Sequence, residues 1–228
     1  MSVYAGPEIV NSGLILHLDA GSLKSYPGTG NTWYDLSGSG LSATLVNGPT
    51  FQTDGGGCIN LTTVNTYISC PTTGMAGPSM TAETWVKPKS INNAHWFVID
   101  NYDQPELRLS FTVTGLLVQY YDNSNYFLNT PIGGNWSSSS WYHVVSTFTN
   151  GSQKVYVNGV LRSSATGVYD GNATNNAYEH TLGTYNRPSA GYNGYADVKY
   201  GMHKIYNRVL TASEVLQNFN AMRSRFGT

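Results

Sequence analysis

Two kinds of side chain in this 228-residue chain could do chemistry: its carboxylates and its aromatic rings. Cleaving a glycosidic bond takes two carboxyl groups, about 5–5.5 Å apart when configuration is retained. A strand supplies such a pair when acids occupy alternate positions, because alternate side chains share a face. Here the glutamates Glu8, Glu83, Glu106, Glu179 and Glu214 are scattered, and Glu83 is followed by Thr84, Trp85 and Val86 rather than by a second acid. Only pairing across the fold could build a hydrolytic site, so a glycoside hydrolase is the most distant of three readings. The chain also lacks a Gly-x-Ser-x-Gly elbow and any Cys–His pairing signal. The expectation is a protein that is not an enzyme.

The aromatic residues offer more. Sugar binding uses aromatic faces against the C–H surface of a pyranose, with amides and carboxylates for its hydroxyls. Loop-like regions carry Trp96, Tyr102, Tyr121, Tyr126, Trp136, Tyr185 and Tyr192, which are the glycan-binding candidates. Asp100, Asn101, Asp103, Asp122, Asn123 and Asn125 stand among them. The plainer role for any single ring is core or loop anchor. The runs 100–103 and 122–125 are also the best oxygen-rich loops for calcium, which wants six to eight oxygen ligands. Asx-turns explain those loops more simply, so no residue is assigned to a metal and no cofactor is expected, calcium being the one ion the loops admit. His17 and His143 lie on strand-like stretches and read as packed residues, with no second His or Cys at metal spacing.

Elements that position these residues are short and strand-like. Charged residues make up 11% of the chain, against roughly 25% in an average protein, and the net charge is −1. This composition gives no electrostatic footprint for nucleic acid, and no stretch approaches the ~20 apolar residues of a membrane span. The N-terminus does not read as a signal peptide. Four Asn-x-Ser/Thr matches, at Asn60, Asn135, Asn150 and Asn172, are expected by chance in so Asn- and Ser-rich a chain.

The clearest pattern runs from Trp141 to Val160. Two β-branched and aromatic runs are separated by Asn150-Gly151, and Asn158-Gly159 turns the chain again into a third strand; this is the signature of an antiparallel meander. Leu14, Leu16 and Leu18 alternate along 13–19, and further strand patterns follow at 41–46, 58–61, 67–70, 80–87, 96–100, 107–114, 116–121, 126–128, 180–183 and 195–206. Turn signals every 8 to 12 residues or so predict a sandwich or barrel. Trp33 and Tyr34 are expected to pin the loop at 20–40. Cys58 and Cys70 flank what reads as a hairpin: a disulfide requires them to sit opposite each other, and reduced, half-buried thiols are the preferred alternative. One helix is predicted near 211–223. Thr211-Ala-Ser-Glu214 forms a capping box, Val215, Phe219 and Met222 make an apolar stripe, and Gly227 lies too near the chain end to count as its cap. Residues 1–12 are expected as an extended N-terminal arm and 13–228 as a single domain.

Several stretches together resemble a known family. Residues 81–88 (TAETWVKP), 141–145 (WYHVV), 155–160 (VYVNGV) and 205–215 (IYNRVLTASEV) are similar to the laminin-G-like, concanavalin A-like lectin/glucanase domains. That resemblance implies an all-β, two-sheet antiparallel jelly-roll sandwich with the short C-terminal helix. Residues 8–20, 24–28, 32–38, 45–51 and 215–221 further resemble laminin-G-like proteins of tailed bacteriophages, cyanophages among them. What this second resemblance implies is a virion structural protein, capsid-decorating or fibre-associated, located on the virion after assembly in a host cytoplasm. Its expected partners are capsid or other virion proteins, with oligomerisation compatible and neither nucleic-acid binding nor membrane insertion expected. The alternative is a lectin module that recognises host cell-surface glycans.

Overall fold

Eighteen strands, a short 3-10 turn at Asp54–Gly56 and one α-helix follow one another among the described residues. The computed structural model describes residues 7–61, 65–72, 79–89, 94–100, 106–112, 115–122, 125–132, 136–149, 151–168, 179–187, 191–193 and 195–228. Within them it places the side chains of 7–61, 65–72, 79–89, 136–149, 152–166, 180–184 and 195–228. The first strands are β1 (Leu14–Asp19), β2 (Thr32–Trp33), β3 (Ala43–Val46), β4 (Thr50–Gln52), β5 (Cys58–Asn60) and β6 (Tyr67–Cys70). Longer ones follow: β7 (Ser79–Pro88), β8 (Ala94–Asp100), β9 (Glu106–Thr112), β10 (Gly115–Asp122), β11 (Asn125–Ile132), β12 (Tyr142–Thr149), β13 (Gly151–Val157) and β14 (Val160–Val168). The chain closes with β15 (Glu179–Leu182), β16 (Tyr185–Arg187), β17 (Gly191–Asn193), β18 (Val198–Tyr206) and α1 (Ala212–Phe226).

All pairings are antiparallel and build two large sheets. One has the order β14-β13-β12-β7-β18-β5-β4, with β1 also paired to β18; the other runs β11-β10-β9-β8-β15-β6-β3-β2. Strands β16 and β17 form a small hairpin of their own. The expected all-β sandwich with one C-terminal helix is therefore what the chain forms. Alternation decides which residues meet between the sheets. On β7, Met80, Ala82 and Val86 point inward, on β12 Val144 and Phe148, and on β18 Val198, Tyr200 and Ile205; they meet Leu45, Ile68, Cys70 and Leu182 of the other sheet in one buried core.

The described part of the meander at 141–160 folds as its sequence indicates; Asn150 of its first turn lies outside the described residues. Asn158 and Gly159 both take positive φ, 51° and 76°, and Val157 pairs with Val160 across them. That is the two-residue reversal whose twist matches the flanking strands, and it favours Asn-Gly because L side chains rarely tolerate such φ. The Asn158 side chain adds a tie, accepting from the His143 amide at 3.0 Å.

Helix α1 lies on the outer face of the β7–β18 sheet. Its start is the capping box: Thr211 Oγ1 accepts from the Glu214 amide at 3.3 Å, and the Thr211 amide donates to Glu214 Oε2 at 2.8 Å. It runs three residues beyond the predicted end at 223, because Gly227 adopts the left-handed conformation and its N–H closes on the Arg223 carbonyl; a Gly in that position ends helices in this way. Its apolar side packs Phe219 and Phe226 on Trp85, with ring centroids 5.8 and 4.3 Å apart. Leu216, apolar and next to Val215 in sequence, is left 46% exposed. The close approach of Phe226 explains Gly201, where a Cβ would collide with that ring.

The structure adds detail to the arm, gives the cysteines as the preferred free thiols but in another place, and changes one loop anchor. Of the predicted arm, residues 7–12 are tied to the chain's own helix: the Val10 amide donates to Asn218 Oδ1 at 2.8 Å, Tyr206 Oη donates to the Val10 carbonyl at 3.0 Å, and Gln217 donates to the Glu8 carbonyl at 2.7 Å. Cys58 and Cys70 do not flank a hairpin. They sit in different sheets, Cys58 on the outer face with Trp85 and Met202 and Cys70 in the inter-sheet core, and both are free thiols. Burial pushes the Cys58 thiol up to about 11 and Cys70 higher still. Of the two loop anchors, only Trp33 is buried; Tyr34 is 48% exposed.

Phe226 holds the end of α1 to the sheet, and truncating a buried Phe costs about 3–5 kcal/mol. Phe226→Ala should lower the unfolding free energy by that amount, seen as a lower urea midpoint at an unchanged slope and read by tryptophan fluorescence.

Candidate functional site

Strand register sets the outer face of the β7–β18 sheet in rows. One row reads His17, Lys204, Glu83, Val145, Tyr156, Leu161 across β1, β18, β7, β12, β13 and β14. Its centre is a buried charge cluster. Lys204 Nζ lies 2.8 Å from Glu83 Oε1, and Asn218 Nδ2 of the helix donates to Oε2 at 2.6 Å. His143 Nε2 is 3.2 Å from Oε1 but poorly aligned, so this contact is electrostatic rather than a full hydrogen bond. Burial alone would raise the Glu83 pKa; the Lys204 charge and the adjoining His143 outweigh it and hold the carboxyl well below the usual range. Glu83 is 1% exposed, so its carboxylate fastens α1 and is closed to any substrate.

A second polar group spans the two sheets. His203 on β18 and His180 on β15 place their Nε2 atoms 3.0 Å apart, and Thr84 Oγ1 is 2.7 Å from His203 Nδ1. Both rings are wholly buried. Burial lowers the His180 pKa to about 4, against a smaller opposing effect of the Pro71 backbone, and lowers His203 further. Two neutral imidazoles can share one proton between their Nε2 atoms, whereas two cations there would repel each other in a dry core.

The remaining described charges are largely engaged. At the end of the helix, Asp54 accepts from Lys87 at 3.0 Å, Lys199 at 2.9 Å and Trp141 Nε1 at 3.2 Å. Burial works against its charge, but these hydrogen bonds prevail and hold it at about 2. Arg225 bonds Asp19 at 2.6 Å and the carbonyls of Gly55 and Gly57. Arg208 grips Glu214 at 2.6 and 3.0 Å, and Lys89 pairs with Asp197. Asp35 accepts from the amides of His17, Ser37 and Ser39. His17 is half-buried, and burial, then the Lys204 charge, lowers it to about 4; its Nε2 has no hydrogen-bond partner among the described residues. Among the described residues no three His, Cys, Asp or Glu side chains gather as metal ligands. The calcium loops at 100–103 and 122–125 lie in part outside the described residues, and their side chains wholly so.

The structure brings several predicted aromatic positions into one region. Trp96 is on β8, Tyr121 on β10 and Tyr126 on β11, the last two directly paired across their strands. Tyr185 and Tyr192 are on the β16–β17 hairpin, which lies beside β8. All five belong by backbone to the β8–β11 end of the second sheet or to its neighbour; their side chains, and Tyr102 altogether, lie outside the described residues. Trp136 stands apart from them. It is half-buried at the edge of the core against Tyr142, centroids 4.6 Å apart, and Tyr142 Oη accepts from the Ser137 amide. It therefore acts as an anchor where it sits.

One feature was missed. Thr147, Thr149, Ser152, Lys154 and Tyr156 line a groove of about 330 Å³ on the outer face of β12 and β13, closed by residues 209–212. Its only signal in the sequence is polar residues at every second position of the two strands.

The family described as the concanavalin A-like lectin/glucanases superfamily, of laminin G type, matches residues 61–216. The chain belongs to this superfamily. Solved structures agree on the fold of this laminin-G-type domain. The binding domain of Paraclostridial mosquitocidal protein 1 is 17% identical, with TM-score 0.69 over 91% of this chain and 52% of that one. Domain 4 of a GH43 extracellular arabinanase from Geobacillus stearothermophilus, solved with arabinotriose, is 18% identical, with TM-score 0.68 over 92% of this chain and 98% of that one. The botulinum neurotoxin type G receptor-binding domain is 19% identical, with TM-score 0.64 over 91% of this chain and 51% of that one. The laminin-G-type domain thus spans about half of the two toxin chains and nearly all of the arabinanase domain. No curated protein matches the sequence.

Two expectations follow from the buried groups. In the unfolded chain the histidines titrate near 6.5, so below that pH the unfolded state binds more protons than the native one and stability falls with acidity. His180 alone accounts for about 3 kcal/mol between pH 6.5 and 4. The Tm should drop by roughly 10 °C over that window, and His203→Gln should flatten the slope, as followed by calorimetry. Lys204→Met, which strands the Glu83 charge, should cost about 3–5 kcal/mol in the same assay.

Proposed function

We propose that this laminin-G-type domain is a carbohydrate-binding module, with its glycan site at the β8–β11 end of the second sheet and the adjoining β16–β17 hairpin. The observation that carries the reading is the gathering of Trp96, Tyr121, Tyr126, Tyr185 and Tyr192 there, on a fold whose family is named for lectins and glucanases. Aromatic rings on rigid strands suit the apolar face of a sugar. The described charges support it indirectly: most are engaged in the scaffold, so recognition falls to neutral rings, amides and hydroxyls. No catalytic step is assigned, because Glu83 is buried beneath α1 and Glu214 caps it.

We further propose that the module works on a virion, as a capsid-decorating or fibre-associated protein that meets host-surface glycans while docked to capsid or other virion proteins. The phage-type resemblance supports this. Two of the stretches that carry it, 8–20 and 215–221, meet in space through the bonds of Val10 and Glu8 to Asn218 and Gln217.

A glycan array probed with the purified chain, with and without Ca²⁺, tests the first reading. Binding to at least one neutral glycan is expected, weakened about tenfold by Trp96→Ala or Tyr126→Ala, as for loss of an aromatic anchor worth ~1.4 kcal/mol. An array without hits in either condition would sink it. Immunogold labelling of particles from the source lysate tests the second, which fails if the label stays with the soluble fraction.

A further inference from the structure

The groove on the outer face of β12 and β13 has features that its role in the fold does not use. Register places Thr147 opposite Lys154 and Thr149 opposite Ser152, so the four side chains form one patch, with Tyr156 next to it opposite Val145. Thr147 is 2% exposed and Tyr156 3% exposed, yet both line the groove. Among the described residues neither hydroxyl makes a hydrogen bond, and neither oxygen is sealed off from the groove. The Tyr156 ring is packed in the cluster of Val145, Tyr206, Leu210 and Val215, and burial raises its pKa. A hydroxyl that opens into a groove and has no protein partner is free to bond a ligand seated there. Lys154 is exposed and forms no ion pair among the described residues.

The opposite wall is the start of the 15-residue helix, Thr211 and Ala212, backed by Val209 and Leu210. A helix N-terminus attracts negative charge. That end is already capped by the Glu214 carboxylate, which accepts from the Thr211 amide and is held by Arg208. Thr149 is bonded to Ser79, so the groove offers one free ammonium and the unpaired hydroxyls of Thr147 and Tyr156 around a partly apolar wall.

We infer that this groove binds an acidic sugar residue, with its carboxylate on Lys154 and its hydroxyls on Thr147, Ser152 and Tyr156. The volume of about 330 Å³ is at the small end of ligand pockets, which begin at ~300 Å³, and suits a single residue. The inference rests on the reading of the domain as glycan-binding, but it names a second site, on the opposite sheet from the aromatic one.

Titration of ¹⁵N-labelled protein with glucuronate, and in parallel with glucose and with inorganic sulfate, tests it. Glucuronate should move the amide signals of 147–156 and 211–212 with a Kd on the order of 1 mM or below, and glucose should not. Lys154→Ala should weaken glucuronate about tenfold, the loss of one charge-assisted hydrogen bond. Thr147→Val should weaken it about threefold with the Tm unchanged, since its hydroxyl makes no bond inside the protein. Silence of these signals with glucuronate overturns the site. Equal affinity for sulfate, or equal shifts with glucose, overturns its assignment to an acidic sugar. Array hits that survive Lys154→Ala, together with silent groove signals, overturn the groove and leave the aromatic site standing; groove shifts with an empty array do the reverse.

Discussion

A single carboxylate, buried where three segments meet, holds the outer layer of this protein in place. Glu83 takes Lys204 from the neighbouring strand on one oxygen and Asn218 from the helix on the other. Asn218 is itself bonded to Tyr206 Oη and to the Val10 amide, so the central strands, the helix and the N-terminal segment share one network. Removing a charge from water is costly, and only close, well-filled pairing offsets it. The network therefore specifies a position more than it adds stability: the helix has one seat on the sheet in which Asn218 meets Glu83. Apolar packing then works around that seat, with Trp85 stacked between the helix rings and His143.

The same economy runs through the molecule. Charged residues are 11% of the chain, and most of those whose side chains are described are paired within the scaffold. Asp19, Asp54, Asp197 and Glu214 each hold a cation, and the two core histidines are kept neutral between the sheets. Lys154 is notable because it stands outside these pairs, beside hydroxyls that have no internal use.

Much of the fold was legible in local signals. The Asn158-Gly159 reversal follows from the positive φ that only Gly and a few residues such as Asn accept readily. The capping box announces the start of α1, and Gly227 also marked its end, a signal discounted only for its closeness to the chain terminus. The candidate site was less legible. In the sequence Trp96, Tyr121 and Tyr126 are separate aromatic residues near loops; that they share one end of one sheet follows from the order β11-β10-β9-β8. Trp136 has the same composition signal but meets Tyr142 at the edge of the core, because ring type carries no information about which surface a ring reaches.

By itself, then, the sequence determined the strand content, the tight turns, the helix start and the superfamily, since each depends on residues within a few positions of one another or on motifs in fixed order. Tertiary structure alone decided which strands became neighbours. Cys58 and Cys70, twelve positions apart, went to different sheets, while Glu83 found Lys204 across 121 residues and Asn218 across 135. Period-two alternation tells a side chain which face it shares with its strand neighbours but not what will cover that face. The roles of Glu83, the histidine pair and the Thr147–Lys154–Tyr156 groove all turn on that cover.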